Sequence, residues 1–200
     1  MRGWLAVGMG LLCLAIWVGG CDRSAERAAQ GANGASGDLG MAPDFTYTDL
    51  EGHPYQLSQL RDRTVIIDFW ATWCPPCVFQ PTELNAFWKR HRDSGKFQVL
   101  GLEVGGASVD EIHEWAAENH AVAEYPVLTG ADEDLARRFG ALGFPALVIV
   151  APGGEIQSVH VGLTTLQELE EQVAKLGGDG AAGLVQARAK PDPSREAGPP

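Results

Sequence analysis

The stretch TVIIDFWATWCPPC, residues 64–77, decides the fold. Its first seven residues, Thr64–Trp70, are β-branched and aromatic, the composition of a buried strand. The chain then runs through Ala71-Thr72-Trp73 into Cys74-Pro75-Pro76-Cys77. From there it enters a helical pattern from residue 75 to about residue 92, with Leu84, Phe87 and Trp88 at helical spacing. That placement gives the two cysteines their chemistry. The unpaired N–H groups and macrodipole of a helix N-terminus favour a negative charge, so the thiolate form of Cys74 is expected to be favoured. Pro75 and Pro76 lack N–H donors and fix φ, which suits a first helical turn. Cys74 is the expected exposed attacking thiol, and Cys77 the resolving thiol that releases a mixed disulfide.

Outward from this centre, strands and helices alternate. Residues 97–104 read as a second strand. Ser108-Val109-Asp110-Glu111 has capping-box spacing and starts a helix. Residues 126–129 are too short to assign. Residues 132–139 form a short helix stopped by Gly140. Residues 146–151 (ALVIVA) are a third strand that turns at Pro152-Gly153-Gly154 into a fourth, residues 155–161, which fits a hairpin. Thr165-Leu166-Gln167-Glu168 caps a final helix expected to end at Gly177, with Leu166, Leu169, Val173 and Leu176 as its buried face. A β-α-β unit followed by a hairpin and a helix predicts an α/β domain, a central mixed β-sheet flanked by helices, over residues 43–176.

The ends differ in composition. Arg2 and the apolar run from Leu5 to Val18 suit a signal peptide over residues 1–20, since about 14 residues are too few for a comfortable membrane span. Val18-Gly19-Gly20-Cys21 resembles a bacterial lipobox, which implies a lipidated Cys21 anchoring the chain to a membrane. An uncleaved anchor or ordinary cleavage past Gly20 would equally export the domain. Residues 21–42 read as a flexible linker and residues 177–200 as a disordered tail. Of the four cysteines, Cys13 would leave with the signal peptide and Cys21 would carry lipid. Cys74 and Cys77 remain, and a bridge closing so small a loop stabilises little by chain entropy. The formal net charge of −11, from 26 acids against 15 bases, argues against nucleic acid as a partner.

Phe69-Trp70-Ala71-Thr72-Trp73-Cys74-Pro75-Pro76-Cys77 is similar to the core motif of the thioredoxin superfamily, and within it to exported, membrane-anchored disulfide reductases of the TlpA/ResA kind. The resemblance extends from Pro43-Asp44-Phe45, through Leu50-Glu51-Gly52 and Leu57-Ser58-Gln59-Leu60, to Gly162-Leu163-Thr164-Thr165 and the last helix. It implies a thioredoxin fold with an N-terminal β extension. It also implies disulfide reduction on exported proteins, such as apo-cytochrome c or a copper-site assembly protein, with electrons from a membrane reductase. No cofactor beyond the Cys74–Cys77 disulfide and no metal is implied. The same resemblance makes the Phe144–Pro145 bond cis, with Pro145 facing the disulfide and Phe144 pairing with substrate backbone. Trp73, Pro75 and Pro76 complete the implied substrate surface. Trp73 is expected as an exposed apolar cover, and Trp70 as core.

The chain departs from that family at two polar positions. Gln80 stands where a Glu is usual, and Asp68 where an Asn is frequent. A carboxyl buried beneath the disulfide should have a raised pKa and can accept the proton of Cys77, so Asp68 is the expected replacement for the missing acid. Pro81, one position earlier than the usual helix proline, is expected to free the Cys77 carbonyl and kink the helix. Glu103 is a weaker candidate, expected at the rim. A different function class, a copper-binding module, would use the two thiolates with His160 as a third ligand. A thiol peroxidase would want a Thr where Ala71 stands.

Overall fold

The computed structural model describes residues 39–186, with side chains as far as residue 176. The signal-peptide and lipidation readings, and most of the linker, lie outside the described residues. The quoted strand is β3 (Thr64–Trp70), buried along its whole length. It is an inner strand of the sheet. Before it come β1 (Thr46–Asp49) and β2 (Pro54–Gln56). After it come α1 (Gln80–His91), β4 (Phe97–Glu103), α2 (Val109–Glu118), β5 (Val127–Thr129) and α3 (Glu133–Arg138). The chain closes with β6 (Ala146–Val150), β7 (Ile156–Val161) and α4 (Leu166–Gln186). The seven strands lie in the order β2-β1-β5-β4-β3-β6-β7. β3, β4 and β5 are parallel; β1 and β2 add an antiparallel hairpin on one side, and β6 and β7 on the other. This is a mixed thioredoxin-fold sheet with the expected N-terminal β extension.

Alternation along β3 separates two cores. Val65, Ile67 and Phe69 join Leu135, Ala136 and Phe139 from the α3 side. Ile66 joins Leu84 and Phe87 of α1 and Leu169 and Val173 of α4. Each large apolar side chain so buried contributes about 1.5–3 kcal/mol before chain entropy is subtracted. Asp68 and Trp70 continue the Ile66 face, which puts them on the side covered by α1.

Local signals end and start the elements as the sequence suggests. Ser108 and Glu111 form a reciprocal capping box at α2. Thr165 and Glu168 do the same at α4, and Asp132 caps α3 by accepting from the Leu135 N–H. Gly140, at φ +82°, turns the chain out of α3 where a side chain would be strained.

Three boundaries differ from expectation. The helix after Cys77 begins at Gln80, because residues Pro75–Phe79 form a 3-10 turn. The last helix passes Gly177 and reaches Gln186; each helical Gly costs about 1 kcal/mol relative to Ala, and Ala181, Ala182 and Leu184 favour continuation. The supposed linker also joins the fold before residue 43. Gly40 O accepts from the Ile156 N–H, the Ala42 N–H donates to Gly154 O, and Met41 bridges to Glu155. Among the described residues, no helix is long and apolar enough to cross a membrane.

Candidate active site

β3 delivers the chain to the site and hydrogen bonds fold it back. The Val104 N–H donates to Trp70 O, the Cys74 N–H to Ala71 O, and the Cys77 N–H to Cys74 O. Cys74 is thereby the extended residue that opens the 3-10 turn. The two cysteines are joined in a disulfide with Cα atoms 5.4 Å apart, within the range such a bridge requires. An α-helical pattern would need the N–H of residue 81 to reach Cys77 O, and Pro81 has none. The Gln80 N–H takes that carbonyl instead. Pro81 therefore leaves no free Cys77 carbonyl and makes no mid-helix kink; it sits in the first turn of α1, where proline is tolerated.

Cys74 is 3% exposed and Cys77 1%. The expected exposed thiol is thus covered in the oxidised chain. Both sulfur-bearing residues belong to an apolar cluster with Trp70, Ala71, Ile112 and Val127, and Phe144 packs against it. Phe144 meets Trp73 edge-on, with ring centroids 5.8 Å apart. Trp73 itself is 56% exposed. The Phe144–Pro145 bond is cis, and Pro145 O accepts the Gly162 N–H at 2.8 Å, which ties this segment to the end of β7. Leu142, Val161 and Leu163, on the neighbouring segments, and Phe79, two residues past Cys77, are exposed apolar side chains. An exposed apolar rim around a reactive bond is what a protein partner would cover.

Glu103 is buried, not at the rim. Its two carboxylate oxygens accept the N–H groups of Gly105 and Ala107, which shapes the loop after β4. A Cβ at Gly105 would fall 2.6 Å from Glu103 Oε1 and 2.7 Å from Trp73 Nε1. Gly105 therefore lets Trp73 and this loop approach each other. Gln80 is likewise structural in its contacts. Buried at the start of α1, it donates to Thr164 O at 3.0 Å and accepts from Thr164 N–H at 2.9 Å. A carboxylate could not donate the first of these bonds.

Asp68 is 2% exposed, and its Oδ1 has no hydrogen-bond partner among the described residues. Burial pushes its carboxyl up to about 8, so it holds its proton at neutral pH. It stands on the sheet face of Trp70, whose ring shares the cluster of Cys77. Its neighbour across β4 is Gly101. Tyr125 fills the space Gly101 leaves, and burial together with the Asp68 charge raises the Tyr125 hydroxyl. Tyr125 went unremarked in the sequence; a lone Gly among the large residues of residues 97–104 was the available sign of a close approach.

The copper alternative needs two free thiolates, and here Cys74 and Cys77 are joined to each other. Among the described residues, the one cluster of three metal-capable side chains is Asp49, Glu51 and His53, and His160 does not join the cysteines in any such cluster. Asp49 Oδ1 already accepts the N–H groups of Glu51 and His53 within its own turn.

Fold and site together define a thioredoxin-fold thiol–disulfide oxidoreductase acting on protein thiols. The chain belongs to the AhpC/TSA family, which it matches over residues 40–159. It is 26% identical over 135 residues to the thiol-disulfide oxidoreductase ResA of Geobacillus kaustophilus, covering 68% of this chain and 75% of that one. To the thioredoxin-like protein YneN of Bacillus subtilis it is 28% identical over 136 residues, covering 66% and 76%. A solved structure of a Chlorobium tepidum protein described as the thiol:disulfide interchange protein DsbE superposes with a TM-score of 0.59 at 26% identity, covering 68% of this chain and 94% of that one.

Proposed function

We propose that this oxidoreductase works in the reducing direction, on disulfides of exported proteins, from a lipid anchor at Cys21 on the outer face of the cell membrane. In each turnover Cys74 thiolate attacks one sulfur of a substrate disulfide. A mixed disulfide forms, and the other substrate sulfur leaves as thiolate. The ionised form of Asp68, the minority at neutral pH, takes the proton of Cys77, whose thiolate attacks the Cys74 sulfur and expels the second substrate thiolate. Two electrons have then passed to substrate, and the chain holds the Cys74–Cys77 disulfide. A membrane reductase returns it to the dithiol, with no cofactor beyond this cysteine pair. Trp73, Pro75, Pro76 and Phe144 receive the substrate chain, and Pro145 faces the disulfide.

The observation that carries this reading is Asp68, buried on the sheet face it shares with Trp70 of the Cys77 cluster, its carboxyl raised to about 8 so that it gains and loses a proton near neutral pH. Titration in thiol–disulfide buffers, read by Trp70 and Trp73 fluorescence, tests the direction. A two-electron transition at roughly −220 mV or lower supports a reductase, and one near about −120 mV makes the chain an oxidant.

A further inference from the structure

Beneath α2 and beside Asp68 lies a cavity of about 200 Å³. It does not contain the disulfide. Its inner end is buried Asp68 and Tyr125, and its mouth carries the exposed Glu51, His113 and Val122. Trp70 and Trp115 form one wall, their rings 4.7 Å apart and tilted by 33°. Ala116, Ala121 and Ala123 line it where larger side chains would fill it. A water needs about 10–15 Å³ of such space, whereas a cavity of about 150 Å³ with apolar walls can hold benzene. The volume is thus that of a ring, and aromatic walls suit one.

The second observation is chemical. Asp68, at the inner end, is 2% exposed, and its carboxyl makes no hydrogen bond among the described residues. A buried polar atom in that condition costs about 1–3 kcal/mol until something pairs with it. A charged guest would lose its hydration on entry, which favours a neutral one. A carboxylic acid offers one donor and one acceptor, and an amide or ring carbonyl with an adjacent N–H answers both.

We propose that this cavity is a binding site for a small, neutral, planar aromatic compound bearing an amide or carbonyl group, which pairs with the Asp68 carboxyl while its ring lies against Trp70 and Trp115. The site is separate from the exchange surface, and its occupancy is measured without turnover. A guest that accepts the Asp68 proton in a hydrogen bond holds the acid neutral and takes it out of service as a base for Cys77. The other titratable side chains lining the cavity are Tyr125, Glu51 and His113.

Benzamide is the probe. Added to the oxidised full chain, it should shift the indole N–H resonances of Trp70 and Trp115 saturably, with Kd of about 1 mM. Ala116→Leu and Ala123→Leu, each filling the space, should weaken it by about tenfold or more while reduction of the disulfide by a small dithiol stays at the wild-type rate. Either variant suffices should the other misfold. Wild type should prefer benzamide to ethylbenzene, and Asp68→Leu should reverse that order. No saturable shift up to about 50 mM, wild-type affinity in a folded leucine variant, or an unchanged ligand order in Asp68→Leu overturns the proposal. So does a crystal soaked in benzamide that shows ordered water alone against Asp68.

Discussion

Replacing Asp68 by asparagine keeps the shape of the side chain and removes its titration. Burial moves the carboxyl from 3.8 to about 8 in the folded chain. Below about pH 4 both folded and unfolded states hold the proton, and the acid carries no penalty. Between about pH 4 and 8 the unfolded state releases it and the folded state does not, so wild type loses stability as pH rises. Above the folded value both states are ionised and the loss levels off. About four units at ~1.4 kcal/mol each set a ceiling of ~5–6 kcal/mol. The adjoining cavity of about 200 Å³ admits water to the carboxylate and relaxes part of that penalty, so about 3 kcal/mol is expected. Urea unfolding of the oxidised wild type and Asp68→Asn at pH 4, 6.5 and 9 measures it, because every other titrating group cancels in the difference. The variant should gain on wild type by about 3 kcal/mol between the lowest and highest pH. A difference flat to within about 0.5 kcal/mol would mean that Asp68 ionises at an ordinary pH, and the proton-acceptor role would lose its basis.

In kinetics the same Asp68→Asn variant should resolve a mixed disulfide on Cys74 more slowly by about 10²-fold or more, the usual worth of a positioned base, read by quenched-flow release of a labelled peptide thiol. Gln80→Glu should lower stability by about 2 kcal/mol at pH 7, because a carboxylate cannot donate to Thr164 O and must be buried. Protonation below about pH 5 should recover most of that loss in thermal unfolding, since a carboxylic acid can both donate and accept. Trp73→Ala should leave reduction by a small dithiol as fast as in wild type or faster, and weaken turnover of a protein disulfide by about tenfold, seen as a rise in KM.

The parts of this fold that were legible in the sequence are those written in local pattern. The β-branched run of Thr64–Ile67 with Phe69 and Trp70 beyond it, the capping boxes at Ser108 and Thr165 and the glycines around the β6–β7 turn each specify a local conformation directly. β5 was not legible, because three residues give no period; it exists through pairing with β4 and β1. The helix start was misplaced because Pro81 acts by removing a donor four residues away from the carbonyl it would bond. At the site, the Cys74–Cys77 disulfide, the cis Phe144–Pro145 bond and the burial of Asp68 were legible through motif and position. The covering of Cys74 was not, since Phe144 reaches the cluster across about 70 residues of chain. Glu103 was misjudged because it turns its carboxylate onto the N–H groups of Gly105 and Ala107 just past its own strand. The partner of Gln80, Thr164, lies 84 residues away, where sequence carries no trace of it. The cavity depends on three alanines, residues that signal nothing individually.

The covered disulfide has a further consequence. Exchange requires a third sulfur to approach along the line of the existing bond, and here Phe144 packs against the cluster that holds both cysteines. Small thiols and oxidants are expected to react slowly with so buried a pair. A protein that seats itself on Trp73 and the cis-Pro145 segment meets an open one. Reduction potential then decides which way electrons run once two proteins touch, while shape decides which proteins touch at all. Several redox couples of unequal potential can therefore share one compartment as separate circuits, without draining into one another.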